Sequence, residues 1–237
     1  MQVFDLAQRW WEFAVMAIVC YFIGCFNFAK TISSFKKRDI SQMGSGNPGT
    51  MNMTREFGAK IGILTFVCDV LKGGLPTLAA FFLYRNFVFA GGVVQVSDVA
   101  RYFAGFFVIV GHIYPATMRF KGGKGIASTF GVFWVGLSCE SAWFILVGLG
   151  IVLFCLTYII LSEWGAVGSL IGVTVFAVIQ SIVIGAKYTA WGTGVILSLT
   201  LIFTLVALTW FAHRANLVRL LSGEEHRTKI IKKKKTV

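Results

Sequence analysis

From Ser141 to Ser162 the chain carries no charged residue. About 20 mainly apolar residues are what a helix needs to cross roughly 30 Å of hydrocarbon. Comparable runs lie near 10–31, 61–84, 101–118, 126–138, 164–185 and 193–212. Composition supports the same reading: 57% of the 237 residues are hydrophobic and 14% are charged, against about 25% charged in a soluble domain. Twenty-three phenylalanines and seven tryptophans exceed what one soluble core could hide. The expected fold is an all-α integral membrane protein with about seven transmembrane helices. The count falls to six if the short 126–138 run is a half-buried or irregular helix.

Basic residues set the expected orientation. All of the 22 lysines and arginines except Arg9, Arg85, Arg101, Lys187 and the intramembrane Lys72 fall on one side of a seven-span arrangement. The positive-inside rule makes that side cytoplasmic, with the N-terminus outside and the C-terminus inside. Asp5 and Glu12 interrupt any basic leader, so a cleaved signal is not expected. Residues 1–225 are expected to form a single transmembrane catalytic domain and residues 226–237 a basic cytoplasmic tail. Each lysine of Lys232–Lys235 near anionic lipid would add roughly 1 kcal/mol of attraction. No aromatic platform accompanies these charges, so nucleic acid is not an expected partner. Four of the five cysteines sit in apolar runs, and His112, His213 and His226 are isolated. Neither a disulfide framework, a metal site nor a cofactor is expected.

Four polar segments do not belong in a membrane. The first is Gly44-Ser45-Gly46-Asn47-Pro48-Gly49-Thr50-Met51-Asn52, with Arg55 beyond it. Gly44 to Gly49 matches GxGxxG formally, but a dinucleotide fold needs a preceding strand, and here a membrane span precedes. The segment is either a tight turn or a loop whose amides, Ser45 hydroxyl and Arg55 guanidinium hold an anion. The second runs from Gly111-His112 through Pro115 to Lys121-Gly122-Gly123-Lys124-Gly125. Gly125 stands where a nucleotide-binding loop needs Ser or Thr. The glycines and lysines still suit a phosphate cradle opening into a helix at Ile126, or else a basic loop that sets topology. The third is His213-Arg214-Ala215-Asn216 with Arg219, Glu224 and Glu225; His213 and Asn216, three apart, share a helix face. The fourth, Asp69 to Gly74, puts Asp69 and Lys72 inside the second span. A lone charge there costs at least about 2.5–3.5 kcal/mol, so the two form a structural pair or line a substrate cavity. Three glycine-rich basic clusters on one face point to a phosphate-bearing substrate.

In order and spacing these segments resemble the bacterial acyl-phosphate:glycerol-3-phosphate acyltransferase family, PlsY. Its first loop resembles SGNPGATN, matched by Ser45–Asn52. Its intramembrane segment is similar to DxxKG, matched by Asp69–Gly73. Its second loop resembles GHxxPxxxxFKGGKGxA, matched from Gly111 to Ala127, and its third HRxNxxRLxxGxE, matched from His213 to Glu225. Thr50 stands one position before the family's threonine. Asn27 occupies a position where the family often has proline, so the first span is expected to lack that kink.

The resemblance implies a multi-pass enzyme of the bacterial inner membrane with its site on the cytoplasmic face and membrane lipid around it. It implies acyl transfer from acyl phosphate to the 1-hydroxyl of sn-glycerol 3-phosphate, giving lysophosphatidate and phosphate. Ser45, Arg55, Lys124, His213 and Asn216 would be catalytic. Gly46, Asn47, Gly49, Thr50, Asp69, Lys72, His112, Lys121, Gly122, Gly123 and Gly125 would bind substrate, and Glu225 would hold the last helix end through Arg214 or Arg219. His213 and Asp69 are the candidate bases by residue type. The HxxxxD pattern of other acyltransferases is absent: Thr117, Val218 and Ile231 stand five residues after the histidines. A permease for a phosphorylated metabolite is the competing class, since glycine-interrupted helices and an intramembrane ion pair suit transport too.

Overall fold

The computed structural model describes residues 1–90, 92–190, 192–225 and 227–228. Apart from Arg227 and Thr228, the expected tail at 226–237 lies outside the described residues. Helices α1 (Leu6–Cys25), α2 (Phe28–Phe35), α3 (Thr50–Phe57), α4 (Ala59–Tyr84), α5 (Val96–Ile113), α6 (Ile126–Ser138), α7 (Phe144–Ser162), α8 (Gly165–Lys187), α9 (Thr193–Ala212) and α10 (Arg214–Leu221) follow in order. With α1 and α2 taken as one run, six stretches among the described residues are long and apolar enough to cross a membrane. The seventh apolar segment, α6, has only 13 residues.

The expectation of an unkinked first span is overturned. Helix α1 stops at Cys25, and Phe26 and Asn27 are extended. The Asn27 side chain accepts the Lys30 amide at 2.8 Å and so caps α2. Asparagine thus breaks the helix by capping its continuation, where proline would break it by removing a donor. The exposed carbonyls of the break find partners. Lys72 Nζ donates to Phe26 O at 2.8 Å and Gly24 O at 3.4 Å, and the Thr117 hydroxyl donates to Cys25 O at 3.2 Å. In lipid no water would otherwise satisfy them.

Helix α5 is the centre, buried along most of its length and packed against α1, α4, α6 and α9. Two crossings bring backbones together. A Cβ on Gly24 would lie 2.2 Å from Val108 O, and one on Gly111 2.1 Å from Tyr21 O, where α1 meets α5. Between α4 and α6, a Cβ on Gly73 would lie 2.0 Å from Ser128 O, and one on Gly131 2.0 Å from Val70 O. Between helices in lipid, such close packing replaces the hydrophobic driving force.

At the end where α5 begins, strands β1 (Gln2–Phe4) and β2 (Phe87–Phe89) pair in parallel, an addition to the expected all-helical fold. Arg101 is 0% exposed there. It pairs with Asp98 at 3.2 Å and with Glu140, while Lys187 reaches both carboxylates at 3.0 Å. Tyr188 donates its hydroxyl proton to Asp98. This network ties α5, α6 and α8 together at the end remote from His112.

Candidate active site

The first loop is shaped by two glycines in left-handed backbone, Gly44 (φ +53°) and Gly46 (φ +68°), conformations that cost other residues about 1–2 kcal/mol. Buried Asn52 fastens the loop from within. Its Oδ1 accepts the Ser45 amide at 3.1 Å, and its Nδ2 donates to Met43 O at 2.8 Å and Ile40 O at 3.3 Å. Ser45 is exposed at the tip. Pro48 O accepts from Asn27 Nδ2 at 3.2 Å, which couples the loop to the break in the first span. Asn47 Nδ2 lies where a Cβ on Gly49 would approach to 3.0 Å. Gly49 caps α3 without a side chain, so no capping group takes up the first amides. The Thr50 hydroxyl beside them is buried with no hydrogen-bond partner among the described residues. Open amides and an unpartnered donor make a suitable anion position.

The second loop differs from the expected cradle. Its glycines serve packing. A Cβ on Gly122 would lie 2.1 Å from His112 O, and one on Gly123 2.3 Å from His112 Nε2. The Gly122 and Gly123 amides bond to Ile113 O and His112 O, laying the loop flat on the end of α5. Gly125, at φ +80°, turns the chain into α6. Lys121 is exposed and makes none of the contacts of Lys124.

Lys124 reaches the third segment. Its Nζ donates to Asn216 Oδ1, whose Nδ2 donates to Glu225 Oε1 at 2.5 Å. Glu225 Oε2 accepts from Arg219 at 2.9 Å, so the acid holds the last helix end through Arg219. Arg214 instead donates to Phe211 O. Burial pushes the Lys124 ammonium down to about 8, opposed by Glu225 and assisted by Arg219 and Arg55. Arg55, half-buried, is lowered by burial and held up by Glu225 and Glu56; it donates to the Thr228 hydroxyl at 2.8 Å. Burial, then the Lys124 charge, pushes His213 down to about 4. Its Nδ1 lies 2.8 Å from Thr209 O. A carbonyl only accepts, so Nδ1 carries the proton and Nε2 the lone pair.

Asp69, Lys72 and His112 stand apart from this cluster. Lys72 Nζ is 3.3 Å from Asp69 Oδ1 and 2.8 Å from His112 Nδ1, and all three are buried. They brace the broken end of α1 and floor the second loop. Among the described residues no group of His, Cys, Asp and Glu is arranged to hold a metal ion. Reading the sequence missed Asn27 and Asn52 as site-builders, as well as Thr228. Asn52 carried a signal, an asparagine at fixed spacing after two loop glycines; Thr228 carried none.

A polytopic helical bundle that gathers Arg55, Lys124, His213 and Asn216 beside an uncapped helix start has the form of a membrane-embedded enzyme for phosphate-bearing substrates. The sequence model of the glycerol-3-phosphate acyltransferase family matches residues 14–223, and the chain belongs to that family. It is 34% identical over 210 residues to the glycerol-3-phosphate acyltransferase of Thermoanaerobacter pseudethanolicus, covering 88% of this chain and 92% of the relative. It is 32% identical over 212 residues to that of Aquifex aeolicus, covering 90% and 97%. Crystal structures of PlsY (YgiH), an integral membrane glycerol 3-phosphate acyltransferase, match at 28% identity over 91% of this chain and 95% of theirs. The TM-score is 0.72 for the glycerol 3-phosphate form and 0.71 for the lysophosphatidic acid form.

Proposed function

We propose that the chain transfers a fatty acyl group from acyl phosphate to the 1-hydroxyl of sn-glycerol 3-phosphate, releasing lysophosphatidate and inorganic phosphate. One observation carries the reading: two separate groups of anion-binding donors are available, one at each end of α3. One is the open start of α3 with the unpartnered Thr50 hydroxyl, the other the cluster of Arg55 and Lys124. Two phosphate-bearing substrates need two such positions. The forms in which PlsY was crystallised, with glycerol 3-phosphate and with lysophosphatidic acid, support the acceptor and the product.

The first position, with the Ser45–Gly49 loop, takes the acyl-phosphate group. Arg55 and Lys124 take the glycerol phosphate, with His213 and Asn216 beside it. An acyl phosphate is already activated, so placement and charge stabilisation supply most of what the reaction needs. The 1-hydroxyl oxygen attacks the acyl carbon, and the bond from that carbon to the phosphate oxygen breaks. A histidine held near 4 is a weak acceptor for an alcohol proton. His213 Nε2 therefore orients the hydroxyl, and the alcohol proton is taken up by the departing phosphate, which leaves as hydrogen phosphate. The acyl chain lies among apolar helix faces open to lipid, on the cytoplasmic side that the basic loops select.

The test uses purified protein in detergent with sn-glycerol 3-phosphate and either acyl phosphate or acyl-CoA. Equal amounts of lysophosphatidate and phosphate are expected from acyl phosphate alone. Product from acyl-CoA alone would overturn the donor, and substrate crossing sealed vesicles unchanged would favour the permease.

A further inference from the structure

After Glu225 the chain folds back onto the turn between α7 and α8. The Arg227 guanidinium lies 4.2 Å over the Trp164 ring and donates to Ser162 O at 3.2 Å. The Thr228 amide donates to Glu163 O at 2.7 Å. Thr228 is 3% exposed, and its hydroxyl accepts from Arg55 Nη2 at 2.8 Å. A Cβ on Gly165 would come within 2.8 Å of that hydroxyl, so only glycine leaves room for it. Arg227 and Thr228 lie beyond residues 14–223, where the family's own sequence pattern matches. They were expected to belong to a surface tail, yet Arg227 packs on Trp164 and Thr228 lies buried against Arg55.

A guanidinium has five N–H donors in a rigid fork. One of them on a fixed acceptor sets the plane of the fork and leaves the rest for an anion. The alternative is that Thr228 merely closes the bundle, and then its loss would act on stability alone. The hydroxyl is itself fixed, by the Glu163 carbonyl on its backbone and by Gly165 at its side, on a turn rigidified by Trp164. We propose that Thr228 is a positioning residue for the acceptor site: it orients Arg55 to receive the phosphate of sn-glycerol 3-phosphate. This rests on the reading that Arg55 binds that phosphate.

The experiment is steady-state kinetics of the full chain in detergent, with each substrate varied in turn. Thr228→Val keeps shape and removes the acceptor. It should raise KM for sn-glycerol 3-phosphate about three- to tenfold, the size of an ordinary hydrogen bond's net contribution. KM for acyl phosphate, kcat and melting temperature should stay at wild-type values. Thr228→Ser should restore the acceptor KM, and Gly165→Ala, which displaces the hydroxyl without touching Arg55, should reproduce the valine effect. A wild-type acceptor KM in Thr228→Val would overturn the proposal. So would an equal rise in both KM values, or failure of serine to rescue. Arg55→Lys separates the two levels. If it leaves the acceptor KM unchanged, the substrate reading itself fails; if it raises that KM while Thr228→Val does not, only the role of Thr228 fails.

Discussion

Lys124 shows how much a side chain's surroundings decide its chemistry. Buried beside Asn216, with Arg55 and Arg219 near, its ammonium titrates at about 8, whereas an exposed lysine stays charged to about 10.4. The charged form is the one below that value, and it is the form that attracts a phosphate. The profile of kcat/KM for sn-glycerol 3-phosphate, which reports the free enzyme, should therefore fall above about pH 8. Lys124→Arg should remove that limb, because arginine keeps its charge. Arg55→Ala and Lys124→Ala should each lower turnover by at least about a hundredfold with the melting temperature nearly unchanged. Wild-type rates would remove both from the site. At this scale the sequence singled out Arg55, Lys124, His213 and Asn216 by chemistry and spacing, and the structure brings them close together. The sequence placed Asn52 after the loop glycines without telling its role, because nothing in the letters distinguishes an amide that binds substrate from one that binds its own loop. It did not reveal that the small size of Gly122 and Gly123 serves contact with His112.

Among the elements, the break between α1 and α2 depends on Lys72, which joins its bare carbonyls to Asp69. Removing one partner of a buried pair costs about 3–5 kcal/mol. Lys72→Met should thus lower thermal stability in detergent by roughly that much, and the double change with Asp69→Asn should recover part of the loss. If Lys72→Met melts as wild type, the brace is not structural. The apolar windows predicted every long helix, because an apolar run long enough to span has no other place to go. Their ends shifted by several residues, as with α5, expected from 101 and observed from Val96. The break itself was hidden, because the sequence was read for a missing proline and asparagine caps through a side-chain geometry that spacing does not reveal. Three-residue strands are too short for any alternation to announce them.

Across the whole molecule the two ends divide the work. One carries the candidate chemistry; the other carries a closed network of Asp98, Arg101, Glu140 and Lys187. Glu140→Gln should cost roughly 3 kcal/mol of stability by leaving buried Arg101 short of a countercharge, while both KM values stay at wild type. A changed KM would mean that the ends are coupled. Orientation is testable separately. In right-side-out membrane vesicles, a cysteine introduced at exposed Ser45 should react with a membrane-impermeant thiol reagent only after the vesicles are opened. Labelling of the intact vesicles would reverse the proposed sidedness.

The shortness of α6 has a consequence of depth. Thirteen residues make a helix about 20 Å long, some 10 Å less than the hydrocarbon layer. Its far end is held level with the end of α8 through Glu140 and Lys187. Its near end, and Lys124 just before it, therefore stop short of the plane that the longer α8 reaches. On the proposed reading, the floor of the site would be a well sunk into the slab of the membrane. A water-borne alcohol would descend into it by a few ångströms, while a lipid-borne acyl chain would enter sideways without leaving its neighbours. Neither reactant would then have to cross into the other's solvent for the two to meet.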